Sequence, residues 1–351
     1  MLSPWSVLAL TLLWLLSLTL SQADAQIRVG GAINLFGRYG YLSISMKVVP
    51  RNDTDQTWLF REPIVDVFKN VPVRNSLSQK VATNPIFQGD FHMEFCDNVR
   101  QLLQAYFRDF AVERLDRPWQ AFTGSWGPAA VARNLGINST YVTGRHSYVL
   151  VRLARHRDAA RVQEDAAVTP DTSQIHEAVA RQADQVKVGD TASVVEFIKS
   201  FGSHYVRSFV TGNSLFQVFV YSPAIYTRIK EVMKVRGVAQ LSSEEINSYF
   251  SPWYAEHMGR ILAASGNSTL ESWATNNLRT QFYFFVFSSL IKLHHPDSSD
   301  LLKDLDKLLR NEALLQIDLR TLAPVFKDAQ KRQWFEEVID NNLKLWEVNM
   351  R

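Results

Sequence analysis

The chain has 351 residues, 46% of them hydrophobic and 12% aromatic, which is enough apolar material for one large core or two modest ones. Charged residues make up 21%, which argues against wholesale disorder, and a formal net charge of +3 with no dense Lys/Arg cluster does not imply a nucleic-acid groove. One cysteine, Cys96, leaves no internal disulfide, no cysteine-framed zinc site and no disulfide-rich extracellular module.

At the N-terminus, Val7 to Leu20 is almost unbroken Leu, Val, Ala and Trp, and Ala23-Asp24-Ala25 follows with the small-x-small pattern of a cleavage site. The run is short for a spanning helix and suits a signal peptide over residues 1–25, with an uncleaved anchor as the alternative. The mature protein is therefore expected to be secreted and extracellular. Three N-glycosylation acceptors fit export: Asn52, Asn138 and Asn267, each followed at the second position by Thr.

Residues 26–295 form the first expected domain. Ile27 to Val49 reads as strands and turns, with Gly30, Gly31, Gly37 and Gly40 between β-formers, and Phe87 to Cys96 as a further strand. Cys96 at its end is expected as a buried, inert thiol, with an intermolecular disulfide or reactive thiol as the other reading. Val99, Leu102, Leu103, Tyr106, Phe107, Phe110 and Ala111 share one helical face, and the helix should stop before Pro118. Tyr148 to Leu153 reads as a strand and 155–171 as a surface loop or mobile helix. Helices are expected over 175–186 and 194–200, then a long strand over Tyr205 to Tyr221. Residues 222–278 read as helical, with Ser242-Ser243-Glu244-Glu245 as an N-cap and acidic first turn. Phe282 to Leu293 is intensely apolar and too short to span as a helix, so a buried strand is expected. Residues 296–351 read as a C-terminal helical segment, through the Leu301–Leu309 spacing and then Phe335, Val338, Ile339 and Trp346. The order is α+β, with antiparallel strands separated by two helical insertions.

Catalytic and metal chemistry find little footing. His204 has no Ser/Asp partner pattern, and His294-His295 beside Asp297 lacks the spacing of a metal site. The early glycines match neither a dinucleotide nor a phosphate-binding loop. No cofactor or metal is expected, and the chain does not read as an enzyme. Arg152, Arg155, His156, Arg157 and Arg161 form a basic run that reads first as a solvated face and second as a site for an acidic partner or lipid headgroup.

One motif carries a family resemblance. Phe201-Gly202-Ser203-His204-Tyr205, at the handover from helix to long strand, resembles the signature of the membrane-attack-complex/perforin (MACPF) family: an aromatic, Gly, Thr or Ser, His, and an aromatic. Val194 stands where the wider motif has another aromatic, and Gly212-Asn213 where a double glycine is common. The resemblance implies a bent antiparallel sheet flanked by two helical clusters, with C-terminal helices and the motif as a hinge. Within that family the chain most resembles a member that modulates receptor tyrosine kinase signalling, and that resemblance implies action by binding rather than catalysis. The partners implied are a pathway ligand or receptor and eggshell matrix proteins, with membrane-surface contact and self-association left open and no nucleic acid.

In pore-forming members the two clusters unfurl into transmembrane hairpins. Here the first insertion carries Arg108-Asp109, Glu113-Arg114 and Asp116-Arg117, and the second Lys230-Glu231 and Glu244-Glu245. Adjacent charges on a spanning strand place one in lipid, at ~2–4 kcal/mol for Lys or Arg at the midplane. Pore formation is therefore disfavoured.

Overall fold

The computed structural model describes residues 27–36, 48–50, 58–60, 65–75, 89–124, 126–163, 174–237 and 241–349. The expected signal peptide and Asn52 lie outside the described residues.

Four strands carry the frame: β1 (Gly89–Cys96), β2 (Ser147–Val162), β3 (His204–Tyr221) and β4 (Ala313–Thr321). β1 pairs with β2, β2 with β3 and β3 with β4, all antiparallel. β3 is long enough to hold more than one partner along each edge. Gly31–Ile33 continues its β2 edge at His204 and Tyr205, and the short strands His257–Met258 and Leu262–Ala263 continue its β4 edge. The ladder shifts register at His156/Asp158, Leu314/Gln316 and Asp318/Leu319, and such irregularities bend a sheet and add twist.

Alternation along β2 and β3 builds a three-layer sandwich. Tyr148, Leu150, Phe216, Val218 and Val220 face one core, with the first insertion (97–146), the helices Glu177–Gln185 and Thr191–Phe201, and the C-terminal helix Ala329–Asn349. Val149, Val151, Leu153, Leu215, Phe219 and Tyr221 face the other, where the second insertion packs. Both faces of the sheet centre are buried, which is why Tyr148–Leu153 and Leu215–Tyr221 read as largely apolar runs. Cys96 is buried at the end of β1 and desolvation pushes its thiol up to about 12, the condition of an inert thiol.

Several expectations are corrected. Phe282 to Leu293 is not a buried strand: it opens in a hairpin, Arg279–Phe282 against Phe285–Ser288, and continues as a 3-10 turn over Leu290–His294. The last frame strand is β4, inside the segment expected to be helical only, so 296–351 contributes directly to the sheet. Its Leu315, Ile317 and Leu319 are buried and alternate with partly exposed Gln316, Asp318 and Arg320, a period of two that the preceding Leu-rich helix obscures. The second insertion accordingly runs from 222 to 312. The helix after β1 ends at Tyr106, capped at Phe107, and Phe110–Val112 is a short strand parallel to β4. β2 continues through its arginines to Val162, where a loop or helix is expected from the sequence.

Candidate functional site

The motif residues form the joint between the helix Thr191–Phe201, β3 and the N-terminal strand Gly31–Ile33. Gly202 ends the helix at φ +90, and a Cβ there would lie 2.9 Å from the carbonyl carbon and oxygen of Ile33. Only a glycine brings the two backbones this close without strain. The Ser203 hydroxyl accepts from the Leu35 amide at 3.1 Å and lies 3.4 Å from the Ile33 carbonyl, while the Ser203 amide donates to that carbonyl at 3.0 Å. His204 sets Nδ1 3.0 Å from the same hydroxyl and is fully buried, so desolvation holds its pKa down to about 3. Phe201 packs on Phe197, and Tyr205 meets Phe68 edge-on at 5.4 Å. Ser203 and His204 are both fully enclosed in this joint.

A second cluster sits where the chain has Gly212-Asn213. A Cβ on Gly212 would lie 2.0 Å from the Arg155 carbonyl oxygen of β2. The neighbouring Asn213 is fully buried. Its amide donates to Ser265 Oγ at 2.9 Å and to Glu312 Oε2 at 3.0 Å, and its oxygen accepts from the Ser214 and Ser265 amides. Asn267 adds donors at 3.2 and 3.3 Å to the same carboxylate, which is 2% exposed. β3, the second insertion and the start of β4 are thereby tied by satisfied buried polar groups, and removing one member strands the rest at about 1–3 kcal/mol.

The insertions are also held by charge. Asp97, where the first begins, accepts from Tyr226 Oη at 2.7 Å and Lys230 Nζ at 2.8 Å on the first helix of the second. Arg114, at φ 64, forks onto Glu336 at 2.8 Å and Asp340 at 2.7 Å of the C-terminal helix. Arg108 pairs with Glu94 of β1. Ser242 and Glu245 close a capping box, and Arg236 pairs with Glu245 at 2.6 Å.

This frame, an antiparallel four-strand path with one long insertion after its first strand and another after its third, can be set beside known proteins. No family model matches the sequence, and no curated protein matches it. Solved structures do. GNIP1Aa from Chromobacterium piscinae is 10% identical over 91% of this chain and 57% of its own, with a TM-score of 0.47. A MAC/perforin-domain protein from Bacteroides thetaiotaomicron is 10% identical over 90% and 60%, with a TM-score of 0.42. Astrotactin-2, a vertebrate-specific and perforin-like membrane protein involved in neuronal development, is 10% identical over 84% and 41%, with a TM-score of 0.31. Its structural neighbours include perforin-like proteins. The chain spans less than two thirds of the length of each of these three.

The basic run is not a free solvated face. Arg152 is buried, donating to the Tyr106 carbonyl at 3.3 Å and lying 3.5 Å from Asp109. Arg155 meets Asp306 at 2.6 Å, and Arg157 donates to the Asp306 and Leu309 carbonyls at the C-terminal end of the helix Ser299–Leu308, where a cation offsets the helix dipole. Among the described residues no group of three or more His, Cys, Asp or Glu is placed to hold a metal ion, and no helix is long and apolar enough to cross a membrane.

The two described glycosylation candidates differ. Asn138 is exposed, with its oxygen accepting from the Thr140 amide and hydroxyl, both at 3.1 Å. Asn267 is half-buried; its oxygen caps the helix Ser268–Asn277 and its amide nitrogen is spent on Glu312. Peptide mapping of the protein made through a secretory pathway should find glycan on Asn138 and none on Asn267. Folded, glycosylated Asn267 would contradict the Glu312 contact.

The sequence did not signal the site's two other features, the Asn213 cluster and the apolar hairpin tip at Tyr283-Phe284. The first could have been sought in Asn213 itself, one of several polar residues in a long, mostly buried strand. The second needs the structure, because Phe284 is 97% exposed where hydrophobicity alone reads burial.

Proposed function

We propose that this is a secreted, perforin-like protein that acts outside the cell by binding and does not perforate membranes. The observation that carries the reading is the Asn213–Glu312–Asn267–Ser265 cluster, centred on buried Asn213 and Glu312, which ties the second insertion to the sheet at the place where a flexible double glycine would let the two part. Unfurling the second insertion would break this cluster and the Asp97–Lys230 pair, unfurling the first would break the Asp97–Lys230 and Arg114 pairs, and either would carry paired charges into hydrocarbon. The leader-like N-terminus and the motif at 201–205 support secretion and the family.

Within that family the sequence most resembles the insect torso-like protein. That resemblance proposes a role as a modulator that permits activation of a receptor tyrosine kinase by its ligand in embryonic terminal patterning, with deposition in the eggshell and a later part in growth or developmental timing. The ligand, the receptor and eggshell matrix proteins are then its partners. Catalysis has no part in this reading.

Perforation is the second reading, favoured by the exposed aromatic hairpin within the second insertion. Dye release from liposomes separates the two. The binding reading expects leakage at the level of the lipid alone, and robust leakage with arcs or rings visible by electron microscopy would overturn it.

A further inference from the structure

The hairpin Arg279–Ser288 ends in a two-residue turn, Tyr283-Phe284, with Phe282 paired to Phe285 behind it and Gln281 to Val286. Phe284 is 97% exposed, Tyr283 69%, Val286 67% and Phe285 37%. Trp253, 63% exposed on a separate loop, brings its ring within 6.1 Å of Tyr283. Tyr283 takes φ 52, a left-handed position that turns usually give to Gly or Asn. Contiguous exposed aromatic surface of this kind marks an interaction site.

The hairpin is fixed at its root. Buried Gln217 donates to the Ser288 carbonyl at 3.1 Å and accepts from the Leu290 amide at 2.8 Å. The Ser289 amide donates to the Leu278 carbonyl at 3.0 Å, and Ser288 Oγ to the Thr275 carbonyl at 2.7 Å. Lys292 Nζ donates to the carbonyls of Asn277 at 3.2 Å and Arg279 at 2.9 Å. The aromatic end is therefore presented on a held support rather than left by fraying.

We infer that this aromatic end is a shallow anchor for the headgroup region of an anionic lipid bilayer. Tryptophan, tyrosine and phenylalanine together at a projecting end are the side chains that settle at a membrane–water boundary. Charge matches the same occupant: from Arg279 to Lys292 the chain carries those two cations and no carboxylate. Both stand at the root: Arg279, three strand residues from Phe282, lies on the order of 10 Å behind the Phe282–Phe285 pair at ~3.4 Å per residue, and Lys292 Nζ is 2.9 Å from the Arg279 carbonyl. Interfacial elements bury their apolar face by ~5–10 Å, so the aromatic rings would reach the acyl boundary while Arg279 and Lys292 meet lipid phosphates. Each strand has four residues, against the ~9–11 a spanning strand needs, so the device rests on a membrane and does not cross it.

The test is sedimentation of the full-length protein with vesicles of phosphatidylcholine alone and of phosphatidylcholine with phosphatidylserine. Binding is expected to the anionic vesicles. It should weaken at least tenfold in Tyr283→Ser/Phe284→Ser and severalfold in Arg279→Gln, and the Arg279 effect should fade with added salt. Both variants should melt with the parent, because the changed side chains are exposed. Absence of binding to either vesicle, or undiminished binding by the double variant, would overturn the anchor. Self-association in lipid-free solution that the double variant abolishes would also overturn it, assigning the surface to a second copy. Leakage from the same vesicles on binding would count against the non-perforating reading and leave the anchor standing.

Discussion

Gly212→Ala is expected to lower the melting temperature by roughly 4 °C or to prevent folding. The added Cβ would sit 2.0 Å from the Arg155 carbonyl oxygen, a main-chain atom of the paired strand β2 beside its register shift at His156/Asp158. A flexible side chain could swing away, but this carbonyl moves only with the ladder. Overpacking of a dry interior costs about 1–3 kcal/mol, and the backbone contact puts this case at the top of that range. At about 2.1 cal/mol/K of unfolding entropy per residue, a chain of 351 residues loses roughly 1.4 °C of midpoint for each kcal/mol. Gly202→Ala should follow with a smaller loss, from its left-handed φ and the 2.9 Å approach to Ile33. Gly127→Ala is the control, since its Cβ would meet nothing within 4 Å. Differential scanning fluorimetry ranks the three, and an unchanged midpoint for Gly212→Ala would show that β2 and β3 do not meet as described.

The second large effect is on pH dependence. Burial holds His204 down to about 3, so in the folded protein the ring stays neutral over a range where the unfolded chain takes up a proton. Above pH ~6.5 both states are neutral and the residue adds no slope. As pH falls from there toward 3, the unfolded state binds more protons and stability drops by up to ~1.4 kcal/mol per pH unit. His257 and His294 are also lowered by burial and act in the same direction. Denaturant midpoints for the parent and His204→Gln between pH 7 and 4.5 isolate the contribution of His204, because the lowered carboxylates Asp90 and Asp97 lose theirs only below that range. The variant should start less stable and show a flatter decline. Parallel slopes would contradict a neutral, buried imidazole.

The sequence was most legible where one periodicity ran unopposed. The long strand at 204–221, the helices at 177–185, 191–201 and 299–308 and the cap at Ser242 all lie within a few residues of the positions expected from spacing and capping chemistry. The antiparallel frame with two helical insertions was legible as an order of elements. β4 was not, because Leu314, Leu315 and Leu319 extend a leucine spacing that the preceding helix had already explained. The arginines of β2 hid a strand for a related reason: their charges read as exposed, whereas Asp109, Asp306 and the end of a helix receive them inside the fold. For the candidate site, the motif at 201–205 could be located but its contacts could not, since Ile33 and Leu35 reach it from far along the chain. The hairpin failed for the opposite cause. Hydrophobicity reports what a side chain avoids, and an interaction surface keeps such side chains in water until a partner arrives.

Hydrogen exchange read by mass spectrometry, with and without anionic vesicles, tests the account most directly. Amides in 99–106, 128–135, 223–236 and 268–277 are expected to exchange at the same rate in both conditions, while protection rises only around 279–288. Loss of helical protection across both insertions on vesicle addition, followed by slow exchange typical of new strands, would contradict it.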